Sequence, residues 1–73
     1  MSYFYIRLST WGTTTPHIVD EEAIYQAERG MNYLNPDEYD FLCEAESMHD
    51  AEKFYDEELS RYYFDQMTEV GHP

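Results

Sequence analysis

Residues 35–47, NPDEYDFLCEAES, set the number of helices in this chain. Asn35 carries a side-chain oxygen suited to a helix cap. Pro36 suits the first helical position, and Asp37 and Glu38 suit the positive end of a helix dipole. Together they predict a helix start. No Gly or Pro follows until Gly71, so the chain beyond Pro36 is either one long helix or two. Ser47 and Asp50 in SMHD form a capping box, which favours a break near Ser47. The last helix is then expected over about 49–67, with Ala51, Phe54, Tyr55, Leu59 and Tyr62 as its buried stripe.

Upstream, YFYIRLS alternates: Phe4, Ile6 and Leu8 point one way, and Tyr3, Tyr5 and Arg7 the other. That period of two predicts a half-buried strand. TWGTTTP then supplies a turn, and HIV at 17–19 a short second strand closing a hairpin. A lone hairpin is weak in water, so helices must pack on it. Asp20 is placed to cap a helix, with Glu21 and Glu22 in its first turn. Ile24, Ala27, Met31 and Leu34 continue at helical spacing, unless Gly30 stops the helix first. The expected fold is α+β and single-domain over 1–73: a short N-terminal β-hairpin or strand packed on two to three helices, in the order ββααα.

Charge is the other strong signal. Sixteen Asp and Glu face four Lys and Arg, for a formal net charge of −12. A small soluble domain needs a magnitude of only about 2–8, and the excess destabilises the compact state by self-repulsion. Thirteen aromatics, 18% of the chain, argue for a folded core rather than disorder. The N-terminus lacks the features of a signal peptide, no apolar run approaches the roughly 20 residues of a membrane span, and Cys43 is the only cysteine. These features predict a cytoplasmic protein. An acidic surface is repelled by phosphate, so neither nucleic acid nor membrane is expected as a direct partner.

Ten of the acids fall in the twenty-two residues 37–58, with Lys53 the only Lys or Arg among them. On a continuous helix rising about 1.5 Å per residue they would span roughly 33 Å. Their mean spacing, about 3.3 Å, is close to the ~3.4 Å between phosphates on one DNA strand. Asp37, Glu38, Asp40, Glu44, Glu52, Asp56, Glu57 and Glu58 are therefore candidate partner-binding residues. Asp40/Glu44 and Glu52/Asp56 are expected one turn apart on a shared helix face. Tyr62, Tyr63 and Phe64 fan across some 200° of helix, more than one face buries. Phe64 is expected opposite the stripe, beside Glu57 and Lys53, either covered by a partner, exposed, or folded against the C-terminal tail. Tyr39, Tyr63 and Phe64 complete the candidate set as rings for stacking on guanidinium groups.

The usual meaning of a charge run is a solvated face, and a halophile surface would show the same acid excess. Ordinary solvated helices, however, interleave Glu with Lys at i, i+4, and that pairing is nearly absent here. No phosphate-binding loop, HExxH or nucleophile elbow occurs. DEYDFLCEAE lacks the central Gly of a calcium loop, and Cys43 with His49 lacks paired zinc spacing. His17, His49 and His72 read as surface residues. No cofactor, metal or enzymatic activity is expected.

Shortness, acidity and richness in Tyr and Phe give the chain a character that resembles small phage-encoded anti-defence proteins, the anti-CRISPR and anti-restriction DNA mimics. The resemblance is one of composition over the whole chain. It implies a partner with a basic nucleic-acid-binding groove: a Cascade-type CRISPR effector, a nuclease or another DNA-handling enzyme, in the host cytoplasm. The alternative is an interaction module, a homodimer or small regulatory subunit, that packs its Tyr-rich helix on a partner and uses the acids for solubility.

Overall fold

The computed structural model describes the backbone of residues 1–70 and side chains through Asp65; Gly71, His72 and Pro73 lie outside the described residues. Strands β1 (Ser2–Arg7) and β2 (Ile18–Asp20) form the expected antiparallel hairpin, followed by helix α1 (Glu21–Glu28). Asp20 caps α1 as expected, its Oδ1 accepting from the Ala23 N–H at 2.9 Å. Gly30 is the stop: its φ of 71° is open to glycine at little cost. The Gly30 and Met31 amides close back on the Ala27 and Gln26 carbonyls at 3.0 and 2.8 Å, a Schellman ending. Ile24 and Ala27 are buried, whereas Met31, past the stop, is 66% exposed.

The expected helix at 35–47 does not form. Asn35 does cap a turn, its Oδ1 accepting from the Asp37 N–H at 3.1 Å. The turn is a single 3₁₀ unit, Pro36–Glu38, and the chain then extends as strand β3 (Tyr39–Ala45). β3 pairs antiparallel with the free side of β1, giving a three-stranded sheet of order β2-β1-β3. The α+β class therefore stands, but the layout is ββαβα with two helices. The physical reason is tertiary. A two-stranded hairpin cannot bury Phe4 and Ile6 stably, and pairing β1 on its second side outweighs a local start signal of about 1 kcal/mol.

The register explains which residues the sheet buries. Phe4 lies opposite Cys43 and Tyr5 opposite Phe41, so Leu42 is the extra residue of a β-bulge. Leu42 and Cys43 both reach the core as a result. There Phe4, Cys43, Ala45 and Ala51 cluster, with Ile18 and Leu42 packed against them. The small side chains of Cys43, Ala45 and Ala51 let helix α2 (Met48–Val70) approach β3 closely. Ser47 starts α2 as expected, its Oγ accepting from the Asp50 N–H at 3.2 Å. Of the expected stripe, Ala51 and Tyr55 are buried and Leu59 half-buried, but Phe54 and Tyr62 are 37% and 45% exposed. α1 contacts β1 and β2 on the face that carries Tyr5, where Tyr5, Ile24 and Tyr25 line one shallow depression.

Burial pushes the Cys43 thiol above its ordinary value of 9.0. Tyr39 is raised above 10.0, chiefly by burial, with Arg7 opposing and Glu38 and Tyr33 adding. Both groups ionise more readily once unfolded, so their stabilising contribution is intact below their ordinary values and is lost as pH rises through the raised ones. Stability is expected to fall progressively above about pH 9. Native Cys43 is expected to react with an alkylating reagent much more slowly than in denaturant. Equal rates with and without denaturant would contradict the burial of this thiol.

Candidate functional site

The acidic residues do not form one continuous ridge. Asp37 and Glu38 sit on the 3₁₀ turn, Asp40 and Glu44 on β3, and Glu52, Asp56, Glu57 and Glu58 on α2. Asp40 stands opposite Ile6 and Glu44 opposite Tyr3, so the two point to opposite faces of the sheet rather than sharing a helix face. Glu52 and Asp56 keep their one-turn spacing. With His49, Lys53 and Thr14–Pro16 they line an open depression of about 540 Å³. All eight candidate carboxylates are exposed except Glu58, which is half-buried. Neutralisation is sparse: among the described residues the ion pairs are Arg7–Glu38 at 2.9 Å and Arg61–Glu58 at 3.3 Å. Exposed pairs of this kind contribute about 0–1 kcal/mol. His17 and His49 are exposed as expected.

Tyr39 and Tyr63 are each tied into the fold by a hydrogen bond. Tyr39 is half-buried, its hydroxyl 2.9 Å from His17 Nδ1 and its ring edge-on to that imidazole. Tyr63, 49% exposed, donates its hydroxyl proton to the Gly12 carbonyl at 2.9 Å. Phe64 is 67% exposed on α2. Tyr55, about two turns before Tyr63 on the same side of α2, bonds the same loop. Its hydroxyl donates to the Thr13 carbonyl and accepts from the Gly12 N–H. Gly12, at φ 91°, holds the backbone in a conformation that suits glycine, and so presents both groups to the helix. The loop after β1 is thus strapped to α2 by two tyrosines.

That strap creates a feature the sequence reading missed. Leu8, expected to continue the buried face of β1, instead enters a 3₁₀ turn, Leu8–Thr10, and is 54% exposed. Thr10 Oγ1 closes the turn on the Arg7 carbonyl at 2.7 Å, and Trp11 packs edge-on against Tyr55 with ring centroids 5.1 Å apart. Leu8, Trp11 and Phe54 border an open groove of about 350 Å³ that β3 closes at Asp40–Leu42, the Phe41 ring itself lying on the other face of the sheet, edge-on to Tyr3 and Tyr5. Ile6 and Leu42 lie beneath, and Asp40 and Glu58 stand among the lining residues. The available signal was a Leu and a Trp in a segment otherwise made of Ser, Thr and Gly.

The described residues hold no cluster of three or more His, Cys, Asp or Glu suited to a metal ion. No helix among them is long and apolar enough to cross a membrane. The chain matches no protein-family model, no curated protein and no solved structure. What the fold and site define is a small α+β domain that shows, among the described residues, an outward-facing acidic surface and an exposed apolar groove.

Proposed function

We propose that this protein is an inhibitor that seats its acidic surface in the basic nucleic-acid-binding groove of a bacterial defence complex, a CRISPR effector or a restriction nuclease. It blocks DNA binding by steric competition and performs no chemistry. The observation that carries this reading is the sparse compensation: a formal charge of −12 on 73 residues, with two ion pairs among the described residues. Such a surface gains affinity by steered encounter and by release of the target's counterions. With the acids divided among a turn, a strand and a helix, the mimicry lies in charge density rather than in phosphate-like regularity.

The exposed apolar groove supports a second reading, an interaction module whose acids serve solubility. A pull-down from bacterial lysate at low and high salt separates the two. The inhibitor reading expects DNA-handling proteins, captured at low salt, released by high salt and displaced by added nucleic acid. Capture that resists salt, from proteins unrelated to DNA, would instead establish the module.

A further inference from the structure

We propose that the groove between the Leu8–Thr10 turn, β3 and α2 is a docking site for a protein segment presenting an arginine or lysine beside an aliphatic or aromatic side chain. Leu8, Trp11 and Phe54 are each between 37% and 54% exposed and border this depression. A domain this small ordinarily needs such side chains for its core. Leaving three of them around one groove marks a contact surface.

Charge selects the occupant. Asp40 and Glu58 stand among the apolar residues of the groove. Among the described residues the one ion pair made by either is that of Glu58 with Arg61, whose side chain is 70% exposed and readily exchanged for another cation. A second copy of the chain would bring a further formal charge of −12, and nucleic acid would bring phosphate. A purely apolar segment would desolvate both carboxylates without replacing their hydrogen bonds. A guanidinium or ammonium meets both, and its flank or its neighbour covers the rings; a cation over an aromatic face adds attraction. The same pairing occurs within the chain, where Arg29 lies 5.3 Å from the Tyr25 ring centre. The groove goes beyond the inhibitor reading and does not depend on it, because an interaction module would use the same contact.

Trp11 is the single tryptophan, so its emission reports on the groove directly. The test titrates the intact protein with three tryptophan-free amidated peptides: Leu-Arg-Phe, Leu-Gln-Phe and tetralysine. Leu-Arg-Phe is expected to give a saturable blue shift, with the other two binding roughly tenfold more weakly or less. Asp40→Asn and Glu58→Gln are each expected to weaken Leu-Arg-Phe by up to about fivefold, the upper range for exposed ion pairs. Leu8→Ser is expected to weaken it too, with circular dichroism unchanged. The absence of a saturable shift, equal binding by tetralysine, or unaltered binding by both carboxylate variants would overturn the proposal. Glu52, Asp56 and Glu57 lie outside this groove and Leu8 lies outside the candidate acidic contact, so reversal of the three acids tests inhibition alone and Leu8→Ser tests peptide binding alone.

Discussion

Tyr55→Ala is expected to remove about half of the folding free energy and to leave a substantially unfolded protein near 37 °C. The residue is 1% exposed, the largest fully buried side chain among those described. Truncating a buried aromatic side chain typically costs about 3–5 kcal/mol. A domain of 73 residues, at about 0.05–0.15 kcal/mol per residue, has only roughly 4–11 kcal/mol in total. Two effects add here. The ring fills the space between α2 and Trp11, and its hydroxyl satisfies the Gly12 N–H and the Thr13 carbonyl. Tyr55→Phe separates them. It keeps the ring and is expected to lose about 1–3 kcal/mol, the penalty for backbone groups left without their partner. Urea unfolding followed by circular dichroism measures both variants. A Tyr55→Phe protein with an unshifted midpoint would show that the loop is held by ring packing alone.

The same residues show what a one-dimensional reading captures. Features set within four or five residues were legible: the alternation of Phe4 and Ile6, the Asp20 and Ser47 caps, the two acids that follow Asp20, and the pairing of Ala51 with Tyr55. The third strand was not, for two physical reasons. Asn35 and Pro36 do start a turn of helix, so the local signal was real and stopped after one turn. Beyond it the bulge at Leu42 places Leu42 and Cys43 on the same face, which erases the period of two that marks a strand. Asp40 and Glu44, poor strand residues, masked it further. The groove was illegible because it depends on Leu8 leaving the strand one residue early and on Tyr55 and Tyr63 reaching a loop more than forty residues away in sequence. The acidic excess was legible as a number but not as a shape, since its distribution follows from the misread segment.

The second large effect concerns function. Glu52→Lys, Asp56→Lys and Glu57→Lys together are expected to abolish inhibition of the target complex while the protein stays folded. All three residues are exposed on α2 and none contributes to the buried cluster. Three reversals of two charges each change the formal net charge from −12 to −6. With Lys53 they also turn one stretch of the helix from acidic to basic. A target groove lined with Lys and Arg would then meet like charge, which costs several kcal/mol at an interface and so lowers affinity by two or more orders of magnitude. The helical signal in circular dichroism is expected to persist, which separates lost binding from lost structure. The corresponding neutral variant, Glu52→Gln with Asp56→Asn and Glu57→Gln, is expected to fall between the two, with a shallower dependence on salt than the parent. A folded, charge-reversed protein that inhibits as well as the parent would take this part of α2 out of the contact. Of the candidate carboxylates, those left would be Asp37 and Glu38 on the 3₁₀ turn, Asp40 and Glu44 on β3 and the half-buried Glu58, with Glu38 and Glu58 engaged by Arg7 and Arg61 and Asp40 and Glu44 facing opposite ways. That arrangement is too divided to fill a cationic channel, so retained inhibition would point away from charge mimicry and toward the apolar groove as the contact.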